Sequence, residues 1–122
     1  MAEALEYTYR ATVGRIVDGD TVDVVVDLGF YVSLNLRFRL AGLDAPETRG
    51  AKASDAGRAS AIYLEWLIPV GSNVVVRSKK TGKYGRWIAS IWPVGELSLT
   101  WETTINARLI SDGHAEYRAD WR

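Results

Sequence analysis

Asp18-Gly19-Asp20 interrupts a stretch from Tyr7 to Val26 that is rich in Val, Thr, Ile and Tyr. An Asp-Gly pair between two such runs is a strong short-range hairpin signal. Two antiparallel strands are therefore expected here. The second runs to about Leu28, where Gly29 permits another reversal. Apolar and polar residues then alternate from Val32 to Leu40, which predicts a third strand and a three-stranded meander. Arg39 falls at the end of that third strand, and Asp44 and Glu47 fall in the loop beyond it. Gly42 lets this loop bend and Pro46 stiffens it.

Beyond Glu47 the composition turns to Ala, Ser and Lys, and Ala56, Ala59, Tyr63 and Leu67 follow helical spacing with Ser60 and Leu64 beside them. Ser54 suits the N-cap of such a helix, and Pro69 ends it. Asn73 to Ser78, with three consecutive valines, reads as a buried strand. Lys79 to Gly85 is a turn, and Arg86 to Trp92 reads as a fifth strand. Pro93-Val94-Gly95 turns the chain again, the alternation of Leu97, Leu99 and Trp101 allows a short extra strand, and a small helix is expected from Thr104 to Asp112, ended by Gly113. The tail after Gly113 is too short for another long helix. Three meander strands, a helix and two more strands fit an α+β, mainly β fold: a five-stranded OB-type Greek-key barrel with a helix between strands 3 and 4 and a short C-terminal helix. With 122 residues, 48% of them apolar, and no repeat or long linker, one domain over residues 1–122 is expected.

Charge narrows the function classes. Lys plus Arg and Asp plus Glu balance at 15 each, so binding of a polyanion by bulk charge is excluded and any anion site must come from local clustering. The chain has no cysteine, which excludes disulfides and thiolate metal sites, and its one histidine excludes multi-histidine metal sites. No stretch approaches the roughly 20 apolar residues of a membrane-spanning helix. The first residues carry Glu3 and Glu6 and no long apolar run, unlike a signal peptide, so a cytoplasmic location is the expectation.

Two clusters could carry chemistry. Asp20 follows the first turn, and Asp44 and Glu47 follow the third strand, so a meander could bring three acids together around a hard cation such as Ca²⁺ or Mg²⁺. The same acids also serve as ordinary turn formers. Arg39 at the strand end could clamp a phosphate in bidentate fashion, or pair with Asp44. From Arg77 to Arg86 there are five positive side chains, and no acid occurs between Glu65 and Glu96. With Tyr84 among them, this loop suits a phosphate backbone and a stacking base, or simply a solvated strand edge guarded by lysines. His114 reads as a surface or structural residue with no catalytic role, and no nucleophile motif is present.

Taken together, Ile16-Val17-Asp18-Gly19-Asp20-Thr21-Val22, Phe38-Arg39-Leu40 leading to Leu43-Asp44-Ala45-Pro46-Glu47-Thr48, and Lys83-Tyr84-Gly85-Arg86 resemble, in order and spacing, the staphylococcal nuclease (thermonuclease) family. The resemblance extends to Ile105-Asn106 and Gly113-His114-Ala115. It implies a Ca²⁺-dependent nuclease of DNA and RNA, in which Asp20, Asp44 and the Ala45 carbonyl ligate the metal. Glu47 is implied as general base, Arg39 and Arg86 as phosphate-stabilising residues, and Lys83, Tyr84 and Tyr117 as substrate contacts. Single-stranded or breathing regions would be preferred, 3′-phosphate ends would result, and a monomer is expected. Gly82 departs from an aspartate common in the family, and the stretch from Gly95 to Ile105 is longer than in its best-known member. The competing reading is an OB-fold domain that binds nucleic acid, or serves as a scaffold, without cutting.

Overall fold

The computed structural model describes residues 7–48, 54–79 and 86–118. Lys83, Tyr84 and Gly82 lie outside them. The meander is present as β1 (Thr8–Asp18), β2 (Thr21–Asp27) and β3 (Ser33–Leu40). After a two-residue strand β4 (Leu43–Asp44) come helix α1 (Asp55–Leu67), strands β5 (Asn73–Lys79) and β6 (Trp87–Pro93), helix α2 (Ile105–Ser111) and a two-residue strand β7 (Glu116–Tyr117). Five strands close a barrel in the order β1-β2-β3-β6-β5, with β5 returning to β1. All pairings in it are antiparallel except β3 with β6, where Phe38, Arg39 and Leu40 face Trp87, Ile88 and Ala89 in parallel register. That parallel seam closes the expected Greek key.

Period-two burial explains why the strands form a barrel. Val22, Val24 and Val26 point inward from β2, Phe38 and Leu40 from β3, Val74 and Val76 from β5, and Ala89 and Ile91 from β6. Each large apolar side chain so buried contributes roughly 1.5–3 kcal/mol. Register shifts between Val13 and Arg15 and between Ile16 and Asp18 mark bulges in β1, which bend it so that it can pair with β2 along its length and with β5 through Thr8–Thr12. Leu64 and Ile68 from the α1 region and Ile105 and Leu109 from α2 complete the core.

The helix signals act as expected. Ser54 Oγ accepts from the Gly57 amide at 3.0 Å, and Pro69 follows one residue after the Ile68 cap. At the end of α2 the His114 amide bonds to Leu109 O and the Gly113 amide to Ile110 O, with Gly113 at φ 81, which is a Schellman closure. The extra strand from Leu97 to Trp101 is not formed. Instead Thr103 Oγ1 donates to Ser98 O at 2.5 Å and accepts from the Thr100 amide at 3.2 Å, and Trp92 Nε1 donates to Thr100 O at 2.8 Å. These bonds hold the chain in a loop and a 3-10 turn, Trp101–Thr103, because short hydroxyl side chains offer the backbone an alternative to a ladder.

The β2–β3 reversal is less ordinary. Gly29 O accepts from the Val32 amide at 2.9 Å, and the two central residues, Phe30 and Tyr31, both have left-handed backbones at φ 56 and 63. This has the backbone signs of a type I′ turn, normally filled by Asn-Gly, and holding a β-carbon there costs on the order of 1 kcal/mol per residue.

Candidate active site

The site assembles where the β1–β2 turn, the end of β3 and the start of α1 meet. Two glycines permit the approach. A Cβ on Gly19 would lie 2.6 Å from Ser60 Cβ of α1 and 3.1 Å from Ala45 Cβ, and a Cβ on Gly57 would lie 1.9 Å from the Glu47 carbonyl oxygen. Neither position admits another side chain without displacing backbone. The turn, the loop after β4 and the first turn of the helix are thus packed directly on one another.

Arg39 joins the two aspartates. Its Nη1 lies 3.4 Å from Asp20 Oδ2 and its Nη2 lies 3.3 Å from Asp44 Oδ1, while Nη2 also donates to Leu43 O at 3.5 Å. Register explains the meeting: Thr21 is opposite Arg39 across the β2–β3 ladder, so the residue before Thr21 sits beside the β3 end, and Leu40 N donates to Asp20 O at 2.8 Å. Asp20 is buried, accepting from the Ala45 amide at 3.0 Å and from Thr21 Oγ1 at 2.9 Å. Asp44, half-buried in β4, also has Arg118 Nη2 at 3.8 Å. Of the partners that the sequence left open for Arg39, the acid is present: Asp44, with Asp20 as a second.

Glu47 sits where the loop after β4 meets the start of α1. Its carbonyl accepts from the Ser54 amide at 3.1 Å, and its neighbour Thr48 is anchored to Asp18, whose Oδ1 accepts from the Thr48 amide at 3.2 Å and from its hydroxyl. The Glu47 residue itself remains exposed. Three acids therefore do not close on one cation: among the described residues no group of three His, Cys, Asp or Glu side chains could hold a metal. The loop after Pro46 lies on the side chain-free face of Gly57.

The remaining expected residues take separate places. Arg86 is exposed, one residue before β6 and two before Ile88, the parallel partner of Arg39, so strand alternation sets it on the Arg39 side of the seam. Tyr117, half-exposed, pairs with Leu43 in the β4–β7 ladder and meets Trp101 edge-on at 6.3 Å between ring centres. His114 stacks on Tyr63 at 4.3 Å and its carbonyl accepts from Ser60 Oγ at 2.7 Å, a structural position. Sequence reading did not single out Arg118 or the Asp18–Thr48 anchor as parts of the site. Asn106 had only its place in the family-like pattern: fully buried, it donates from Nδ2 to Ala41 O at 3.0 Å and Ala89 O at 3.1 Å and accepts from the Ile91 amide at 3.1 Å, pinning the turn after Arg39 to β6.

Burial pushes the Asp20 carboxyl above the ordinary aspartate value, and the nearby Asp44 charge adds to that, against the Ala45 amide, Arg39 and Thr21, which oppose it. A buried carboxylate beside a second one, both offering hard oxygens, is a donor set that suits Ca²⁺ with Asp20, Asp44 and the adjoining Ala45 carbonyl as ligands and water in the other places. In the metal-free protein the raised value makes Asp20 favour folding only below the ordinary aspartate value near 3.8, an advantage lost as pH rises through the raised folded value. Asp20→Asn keeps an acceptor for the Ala45 amide and removes the charge. It is therefore expected to raise Tm at about pH 7 in chelator, with a gain that shrinks as pH falls through the raised folded value and is gone below about 4. Thermal unfolding followed by circular dichroism checks this, and a lower Tm at neutral pH would contradict it.

Comparison with known proteins bears on the whole arrangement. Residues 37–122 match the family described as Staphylococcal nuclease homologue. The chain is 35% identical over 108 residues to Protein ParB of Escherichia coli, covering 87% of this chain and 55% of that protein. It is 34% identical over 112 residues to Micrococcal nuclease of Shigella flexneri, covering 88% and 57%. Over 125 residues it is 27% identical to Endonuclease YhcR of Bacillus subtilis, covering 95% of this chain but 9% of that protein. The chain thus spans just over half the length of the first two relatives.

Proposed function

Because the chain belongs to the staphylococcal nuclease homologue family, we propose that it is a Ca²⁺-dependent nuclease that hydrolyses phosphodiester bonds in DNA and RNA, preferring single-stranded or breathing regions. The observation that carries this reading is the single guanidinium of Arg39 held between Asp20 and Asp44, with Glu47 three residues after Asp44 and its carbonyl held by the Ser54 amide. Relatives named as a micrococcal nuclease and an endonuclease support the reaction class.

Asp20, Asp44 and the Ala45 carbonyl would hold Ca²⁺, which when bound offers positive charge to the phosphate oxygens. Glu47 takes a proton from the water that attacks phosphorus. The P–O bond to the 5′ oxygen breaks, the leaving oxygen takes a proton from solvent water, and the phosphate stays on the 3′ side. Arg39 and Arg86 offset the charge that grows on the phosphate oxygens without changing protonation. Lys83, Tyr84 and Tyr117 contact the substrate backbone and base faces, so recognition rests on the backbone more than on base edges. The chain works as a monomer.

Incubation with single-stranded DNA in Ca²⁺ and in chelator tests the proposal. Cutting with the metal and none in chelator is expected, with 3′-phosphate ends resistant to ligation. Salt-sensitive binding of DNA that stays intact in Ca²⁺ would overturn it in favour of a non-catalytic binding domain.

A further inference from the structure

The β2–β3 hairpin does more than carry Arg39 at its base. Its outward-facing residues pair in a row: Thr21 with Arg39, Asp23 with Arg37, Val25 with Asn35 and Asp27 with Ser33. Beyond the last pair lies the turn with Phe30, which is 97% exposed, and Tyr31, fully exposed. Neither ring takes part in the core, both are held on left-handed backbones, and Val32 and Leu34 beside them are half-exposed. Between base and tip, a groove of about 460 Å³ follows the same row, lined by Arg15, Asp23, Val25, Asn35 and Arg37. Arg37 holds Asp23 with two hydrogen bonds of 2.7 and 3.0 Å, and Arg15 stands opposite Asp23 on β1, so two guanidinium groups meet one carboxylate.

We infer that this outer face is a track for single-stranded nucleic acid, running from Arg39 through the Arg15–Arg37 groove to bases stacked on Phe30 and Tyr31. The inference rests on the nucleic-acid part of the function proposed above. A groove that alternates guanidinium, amide and apolar side chains matches a polymer of alternating phosphates and base faces, and aromatic rings stack on any base without reading its edges. The groove is concave, which suits a flexible strand better than a flat bilayer. Eight residues of β-hairpin at about 3.3 Å each place the tip roughly 25 Å from Thr21. A strand rising about 3.4 Å per nucleotide needs several nucleotides to reach it, so a dinucleotide cannot.

Phe30→Asn with Tyr31→Gly separates ligand binding from stability, because Asn-Gly is the preferred filling of this turn. The double variant is expected to unfold a few degrees higher than the parent. In chelator, where nothing is cut, it should bind a single-stranded DNA of about 16 nucleotides at least roughly 10-fold more weakly by fluorescence anisotropy. Its cleavage of a dinucleotide in Ca²⁺ should equal the parent's. Arg15→Gln should lower the slope of log Kd against log salt by about 0.7. Unchanged binding of the long strand, an equal loss on the dinucleotide, or an unchanged salt slope in Arg15→Gln would each overturn the track. If instead the long strand binds through the two rings but no substrate is ever cut, the nuclease proposal fails and the track stands.

Discussion

Glu47→Gln is expected to lower kcat on single-stranded DNA by about 10²- to 10⁴-fold, the range that a positioned general base supplies. Glutamine has the same shape and cannot accept the proton. What holds this position is main chain: the Ser54 amide on the Glu47 carbonyl, the Thr48 amide on Asp18, and the bare Cα of Gly57 beneath it. None of these involves the carboxylate, and the side chain is exposed, so the variant should keep its Tm and its KM. Steady-state kinetics beside a thermal melt separate the two effects. A variant that cuts as fast as the parent would remove Glu47 from the chemistry, and one that loses activity only in proportion to lost folding would assign it a structural role.

Arg39→Lys should reduce kcat/KM by about 10²- to 10³-fold, as loss of a preorganised donor to a charged transition state does. Charge is conserved, so bulk electrostatics cannot account for a loss of that size. The planar fork of arginine reaches Asp20 with one nitrogen and Asp44 and the Leu43 carbonyl with the other. An ammonium is a single point and can serve only one carboxylate at a time. With its partner withdrawn, the buried Asp20 carboxyl should rise further in pKa, which nuclear magnetic resonance titration of the aspartates would record. Near-parental kcat/KM in Arg39→Lys would mean that the fork geometry is irrelevant to the reaction.

How much of this was legible beforehand depends on the range of the forces involved. The Ser54 cap, the stop at Pro69 and the Gly113 closure rest on bonds between residues a few positions apart, so residue type and spacing announced them. Alternation from Val32 to Leu40 announced the third strand, which forms as Ser33–Leu40. Local pattern misled at Leu97 to Trp101, where the period of a strand is present but Leu97 is 99% exposed and hydroxyl groups of Thr103 capture the backbone. No pattern in the chain signals the two-residue β4–β7 ladder or the Arg118 contact to Asp44, because each joins segments more than 70 residues apart.

For the site, the sequence by itself determined the chemical inventory: two aspartates, one glutamate and two arginines, at positions in the order and spacing of a nuclease family. It also determined that each would stand at a strand end or in a turn. Tertiary structure decided which of them meet. The β2–β3 register puts Asp20 against Arg39, and the contact of Gly57 in α1 with the Glu47 carbonyl fixes the main chain of Glu47. The packing of the β1–β2 turn and of the Glu47 loop on α1 depends on Gly19 and Gly57, where the absence of a side chain lets distant segments touch. A glycine's local preference is visible in one dimension, whereas the partner that needs its empty space appears only when the chain is folded.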